Sequence, residues 1–128
     1  MRLHNSVRHW GPTMGSDQIA EIAPAVREIL GGGSGWIATF EVTGDPTKWV
    51  QFEIGCINAA YLSADAPSQK LGGLPAFALL MWEPNKYLTG SLDLSDPRSI
   101  ARWIDDYYFS AVLECADDYS IDVGIARL

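Results

Sequence analysis

The chain has 128 residues, of which 48% are hydrophobic and 20% charged, and this composition indicates a single globular domain. It excludes an intrinsically disordered or collagen-like chain. The 16 acidic residues outnumber the nine lysines and arginines and give a formal charge of −7. The basic residues form no run, so we expect no direct binding of nucleic acid, which requires a basic face.

Residues 1–15 are predicted to form an N-terminal tail, and residues 16–128 a single domain. The tail has no apolar core of the kind found in a secretory signal, and the longest apolar stretch, residues 75–82, is far below the roughly 20 residues of a membrane helix. Cys56 and Cys115 lie far apart without C-x-x-C spacing, which favours two buried thiols over a disulfide. We therefore expect a cytoplasmic protein with no cofactor, no metal and no membrane contact.

A first helix is predicted over residues 16–30, with Ser16 as N-cap and Gly31 closing the helix in the left-handed conformation. Its apolar residues recur at the i, i+3, i+4, i+7 spacing of one helix face. Pro24 is expected either to kink this helix or to mark the first turn of a shorter one. The glycine-rich residues 31–35 follow a helix rather than a strand, which indicates a connector and not a phosphate-binding loop.

Strands are predicted where apolar and polar residues alternate with a period of two. The continuously apolar run at residues 76–82 predicts a central strand covered on both faces. A loop with at most one helical turn is predicted over residues 64–75. The other predicted strands cover residues 36–42, 49–54, 57–63 and 119–127.

A second helix is predicted, with Ser95 or Asp96 as its cap, Pro97 in its first turn and Arg102 paired with Asp106 on its solvent-exposed face. The order of elements predicts an α+β fold in which an antiparallel sheet of about five strands carries two main helices on one face. The apolar stripe predicted for this helix comprises Ile100, Trp103, Ile104, Tyr107, Tyr108, Ala111, Val112 and Cys115.

Catalysis finds little support in the residue pattern. The two histidines, His4 and His9, both lie in the predicted tail, where no packing would hold an imidazole beside a nucleophile. Glu41 and Glu53 lie at polar positions of the alternating pattern in neighbouring strands. They could lie across from each other, as an acid–base pair requires. The same alternation is typical of a solvated sheet face, so a carboxylate enzyme is only a minor alternative.

Acidic residues concentrate in the last 26 positions of the chain. Their spacing does not fit a calcium loop, and they indicate either a solvated helix end or a docking face for a basic protein. They are Asp105, Asp106, Glu114, Asp117, Asp118 and Asp122.

Aromatic residues are abundant, with five Trp, five Tyr and four Phe. They cannot all face one small core, and large amphipathic aromatics on a surface often anchor protein interfaces. The alternative is that they cover helix and loop edges within the molecule. The candidate protein-binding aromatics are Trp49, Trp82, Tyr107 and Tyr108.

The motifs WVQFEI (49–54), INAAYL (57–62), LGGLP (71–75) and DPRSIARWIDDYYFSAV (96–112) occur in an order that resembles the type III secretion chaperone-like and YbjN-like superfamily, in particular the bacterial TY-Chap domains. The resemblance implies a small acidic α+β domain, often dimeric, that binds extended segments of other proteins and catalyses no reaction. The chain departs from this pattern because residues 64–75 are too rich in glycine and proline for a full middle helix.

Two functional hypotheses follow. The first is a non-catalytic, chaperone-like protein- or peptide-binding domain that forms a homodimer. The second is an acidic inhibitor or immunity-type protein that blocks a nucleic-acid-binding enzyme by charge mimicry, which would require most of the C-terminal acids on one side.

Overall fold

The computed structural model describes residues 7–8, 18–71 and 73–128. The predicted N-cap Ser16 and the two histidines lie outside the described residues. In chain order, the elements are β1 (Val7–Arg8), α1 (Gln18–Gly32), β2 (Trp36–Val42), β3 (Asp45–Glu53), β4 (Cys56–Ala60), α2 (Ser68–Leu71), β5 (Phe77–Glu83), β6 (Tyr87–Leu92), α3 (Pro97–Arg102), a π-helix (Trp103–Val112) and β7 (Ile121–Arg127).

The strands form one antiparallel sheet in the order β1-β7-β2-β3-β4-β6-β5. The predicted α+β class, with an antiparallel sheet and two main helical segments, is confirmed. In the part of the chain that the structure describes, the sheet has six strands besides the two-residue β1, where about five were expected. Val7 and Arg8, from the predicted tail, pair with Gly124 and Val123 of β7 at one edge of the sheet.

α1 is continuous through Pro24, which neither ends nor shortens it. Ile22, Val26 and Ile29 on the flanking turns are fully buried, so packing against the core holds this helix together despite the proline. Gly31 is still helical, contrary to the prediction that it closes the helix. Gly33, with φ of 83°, is the residue in the left-handed conformation.

One face of the sheet carries the core beneath the helices. Alternate residues of the central strands point to it, and paired positions in neighbouring strands share this face, as Phe40 and Val50 do. Helical residues complete the core from the other side. The fully buried strand residues of this face include Ala38, Phe40, Val50, Ile57, Ala59, Leu88 and Val123.

β5 lies at the sheet edge opposite β1, so the prediction that residues 76–82 form a central strand is wrong. β6, which the sequence reading assigned to no strand, lies between β4 and β5. The central place beside β2 belongs instead to β7, which pairs with β2 over seven residues. The apolar content of a strand does not distinguish a central position in the sheet from an edge position, because strand position depends on long-range pairing.

The second helical segment changes register after Arg102 and continues as a π-helix. Its characteristic bond joins residues five apart, as between the Leu113 N–H and the Tyr108 carbonyl at 2.9 Å. Buried side chains recur at the same spacing of five residues. Trp103, Tyr108 and Leu113 are all buried, whereas Tyr107 is exposed. Beyond Ile104, the predicted stripe is correct for Tyr108 and Val112, which are buried, and wrong for Tyr107 and Ala111, which are exposed.

The β5–β6 hairpin is held to the rest of the molecule by the pairing of β6 with β4 and by aromatic side chains. Phe77 stacks on Trp103 with ring centroids 5.3 Å apart, and Trp82 meets Tyr61 edge to face at 5.9 Å. Gly90 of β6 permits the close approach of Phe77, since a Cβ there would lie 2.3 Å from its ring.

Candidate functional site

The outer edge of β5 is the most exposed apolar feature of the described structure. Leu79, Leu80 and Met81 are 39%, 68% and 55% exposed. Residues 77–82 carry no charge, and Glu83 is the only charged residue of the strand. Natural edge strands usually avoid such a surface with lysines, prolines or bulges, and β5 has only a register irregularity between Leu79 and Met81. An edge of this kind can pair with another chain.

Next to this edge, a trough of about 400 Å³ crosses the sheet face opposite the helices. Met81 belongs to both features, because it is an exposed residue of β5 and also lines the trough. Side chains of a strand added beside β5 would alternate between the two faces of the sheet, so every second one would point to the trough side. The remaining lining includes Ile37, Glu53, Cys56, Tyr87 and Leu128.

A row of hydrogen-bonded polar side chains crosses the same face. Gln51 donates to the Thr39 hydroxyl at 3.2 Å and accepts from the Asn58 amide at 3.1 Å. The Thr89 hydroxyl donates to the Asn58 carbonyl oxygen at 2.9 Å. These residues are direct partners in the register of β2, β3, β4 and β6, and Met81 pairs with Thr89 to continue the row onto β5. The row stabilises this register because a slip would break several bonds together.

The predicted protein-binding aromatics divide between surface and core. Tyr107 is 38% exposed. Trp82 is half-buried against Tyr61, and Trp49 is half-buried at the edge of the core. Tyr108 is fully buried and its hydroxyl donates to the Ala60 carbonyl at 2.6 Å. The prediction that Tyr108 contacts a partner is therefore wrong, because none of its side chain reaches the surface.

Burial also determines the chemistry of the internal phenols. It raises the pKa of Tyr108 above its ordinary value, with a smaller contribution from Tyr61. Burial raises the pKa of Tyr119 as well, assisted by the Asp105 carboxylate, which accepts a bond from the Tyr119 hydroxyl at 2.8 Å. Both side chains are neutral donors that stabilise the fold.

The C-terminal acids have different surroundings. Asp106, Asp117 and Asp118 are exposed, whereas Asp105 is half-buried and bonded to Tyr119. Asp122 lies on β7, paired in register with Glu41, and accepts a hydrogen bond from the Thr43 hydroxyl. The acidic residues are therefore not one uniform exposed set, and docking of a basic protein on them stays a prediction.

The register separates the two carboxylates of the minor enzyme alternative. Glu41 lies opposite Trp49, whereas Glu53 is four residues further along β3, a displacement of about 13 Å along the strands. The expectation that they could lie across from each other is wrong. Among the described residues, no group of three His, Cys, Asp or Glu side chains is placed to hold a metal ion.

The two cysteines are free and half-buried. Burial raises the pKa of both thiols above the ordinary value, and the nearby Glu53 carboxylate adds to the effect at Cys56. Such thiols are protonated at neutral pH and poorly nucleophilic.

Sequence reasoning missed the exposed residues Leu79, Leu80 and Met81 as site residues. The available signal was the turn Pro84-Asn85-Lys86 directly after the apolar run, followed by a second alternating run at residues 87–92. A run that begins a hairpin needs only one neighbouring strand, which is compatible with an edge position.

No protein-family model, curated protein or solved structure shows significant similarity to this chain. Within the described part of the chain, no helix is long and apolar enough to cross a membrane.

Proposed function

We propose that this protein is a non-catalytic binding domain that takes up an extended segment of a partner protein as an additional strand beside β5. The observation that carries the proposal is the uncharged, exposed run of Leu79, Leu80 and Met81 at the sheet edge. In strand addition the edge backbone supplies hydrogen bonds, and pockets for alternate side chains supply specificity. The resemblance to TY-Chap domains implies the same class of function.

The partner segment that we infer is apolar and flanked by basic residues. β5 offers apolar side chains along its length and one carboxylate, Glu83, at its end. The chain carries a formal charge of −7, which attracts a basic partner over long range. A second copy of this chain would bring two such charges together, so we place the foreign segment first and the predicted homodimer second.

The test uses a fluorescently labelled peptide of alternating valine and threonine with two lysines at each end. We expect the full chain to bind it, and Leu80→Lys to weaken binding about tenfold or more, since a lysine on an edge strand opposes pairing. Leu62→Lys is the matched control, because Leu62 is an exposed leucine outside the sheet. Hydrogen exchange of the complex should show new protection of the β5 amides.

Equal weakening by both lysine substitutions would contradict strand addition at β5, as would binding without protection of the β5 amides. Light scattering distinguishes a foreign segment from the competing occupant of this edge, which is a second copy of this chain. A particle of about twice 14.0 kDa that Leu80→Lys converts to a monomer would show that a second copy occupies this edge. That result would overturn the proposal of a foreign partner segment.

A further inference from the structure

A second concave surface, separate from the trough, lies where α3 passes into the π-helix. This pocket has a volume of about 300 Å³, at the small end of the range for ligand sites. We call it the arginine pocket. Its main lining residues are Pro75, Leu94, Arg98, Arg102, Trp103 and Tyr107.

Arg98 and Arg102 bring two positive charges to the pocket from positions one helical turn apart. Both residues are exposed, and within the described ranges neither guanidinium lies within ion-pair distance of a carboxylate. Two like charges at this spacing destabilise a helix. In a chain with only nine lysines and arginines against 16 acids, this pair is unusual.

Among the described residues, the one carboxylate that lines the pocket is already engaged as a helix cap. Asp96 accepts hydrogen bonds from the Ser99 backbone N–H at 2.9 Å and from the Ser99 hydroxyl at 3.1 Å. These two bonds hold the pKa of Asp96 below its ordinary value, so the cap is ionised at neutral pH. It lowers the positive potential of the pocket without pairing with either arginine.

The π-helix explains why Arg102 does not pair with Asp106. In a continued α-helix, Asp106 would lie one turn above Arg102 and could pair with it. A π-helix brings residues five apart into line, and Tyr107 therefore takes this position and lines the pocket with Arg102. The change of register replaces an intramolecular ion pair with an open cation beside an aromatic ring.

The rest of the pocket is apolar and rigid. Trp103 is buried at its base, and its indole N–H donates to the Pro75 carbonyl at 3.0 Å, which fixes the ring. Phe77 and Tyr108 both stack on the same indole. Pro75 and Leu94 add apolar contact surface. An aromatic or branched apolar group would fit against these residues.

We propose that the arginine pocket binds a small carboxylate carried on an aromatic or apolar group. The forked guanidiniums of Arg98 and Arg102 suit a carboxylate, to which arginine donates two parallel hydrogen bonds. Tyr107 can donate a further bond or stack on the ligand ring. This proposal is independent of strand addition at β5, and either one can fail without the other.

The test titrates the full chain with 3-phenylpropionate and with its neutral amide, 3-phenylpropionamide, and follows the Trp103 indole resonance by NMR. We expect the acid to shift this resonance and the amide to bind at least about tenfold more weakly, because only the acid pairs with guanidinium. This comparison needs no variant and is therefore unaffected by any change in folding. Equal binding of acid and amide, or no binding of the acid, would overturn the proposal.

The double variant Arg98→Gln, Arg102→Gln should abolish the difference between acid and amide. Arg127→Gln removes one positive charge outside the pocket, at the end of β7 beside Trp36, and should leave the difference unchanged. Loss of the difference in both variants would show a general charge effect and contradict the site. Phenyl phosphate binding more tightly than 3-phenylpropionate would contradict the carboxylate assignment.

Discussion

Two hairpins of the sheet, β2–β3 and β5–β6, are both rich in apolar residues but have opposite surroundings. Phe40 of β2 is fully buried between the helices and the neighbouring strands, whereas Leu80 of β5 is 68% exposed. Within the described ranges, β2 has partners on both sides, β3 and β7, and β5 has one partner, β6. The difference arises from position in the sheet rather than from composition.

This comparison gives β5 its functional interest. Apolar residues in β2 stabilise the fold, so their presence needs no further explanation. Apolar residues exposed at an edge contribute little to folding and expose the chain to unwanted pairing. A partner strand that covers them would account for their presence, and measurements that separate stability from binding can test this view.

The largest expected effect is a contrast in stability between the two hairpins. Phe40→Ala should lower the free energy of unfolding by about 3–5 kcal/mol, because it leaves a cavity in the core. Leu80→Ala should change it by less than about 0.5 kcal/mol, as expected of an exposed side chain. Urea unfolding of both variants measures the contrast. A large loss in Leu80→Ala would show that β5 is covered in the free protein.

The attachment of the β5–β6 hairpin can be weakened at one position. Gly90→Ala should cost about 1–3 kcal/mol, because the new methyl group would collide with the Phe77 ring and displace it from Trp103. The matched control is Ser91→Ala, at an exposed neighbouring position of β6. Urea unfolding gives the free energies, and an unchanged Gly90→Ala protein would show that the hairpin adjusts without strain.

The fold class was predictable because it depends on local patterns. The alternation in residues 36–42 and the periodic spacing in residues 16–30 reflect strand and helix geometry directly, and the structure has β2 and α1 there. The exposed edge was not predictable from the run at residues 76–82, because its position depends on β6 and on the pairing of β7 with β2. Register and strand order are long-range properties.

The arginine pocket shows a second limit of sequence reasoning. A spacing of four predicts an Arg102–Asp106 pair in an α-helix, but the π-helix brings Tyr107 to that position. The same change separates Tyr107, at the surface, from Tyr108, in the core. Apolar periodicity gave no sign of the change. The residues four and eight positions after Trp103 are aromatic or apolar, and so are those five and ten positions after it.

Alkaline pH should test the burial of the Tyr108 phenol. Burial raises the pKa of Tyr108 in the folded protein, so its stabilising effect is complete below the ordinary pKa of 10.0 and is lost as the pH rises above it. Above this pH, Tyr108 should contribute a decline of about 1.4 kcal/mol per pH unit in the free energy of unfolding.

Tyr108→Phe should remove this part of the decline. Comparison of variants is required because Tyr119, Cys56 and Cys115 also have raised pKa values and act in the same direction. Urea unfolding at pH 9, 10 and 11 supplies the free energies. Identical slopes for Tyr108→Phe and the parent protein would show that the pKa of Tyr108 is the same in the folded and unfolded states.

The smallest expected effect concerns the polar row that joins the two hairpins. Thr89→Val keeps the shape of the side chain but removes the hydroxyl that donates to Asn58, and it should cost about 0.5–1.5 kcal/mol. Since Thr89 pairs with Met81, a loosened row should also reduce the hydrogen-exchange protection of β6 more than that of β2. An equal loss of protection in β6 and β2 would show that the row stabilises each strand separately. The row would then not link the exposed hairpin to the buried one.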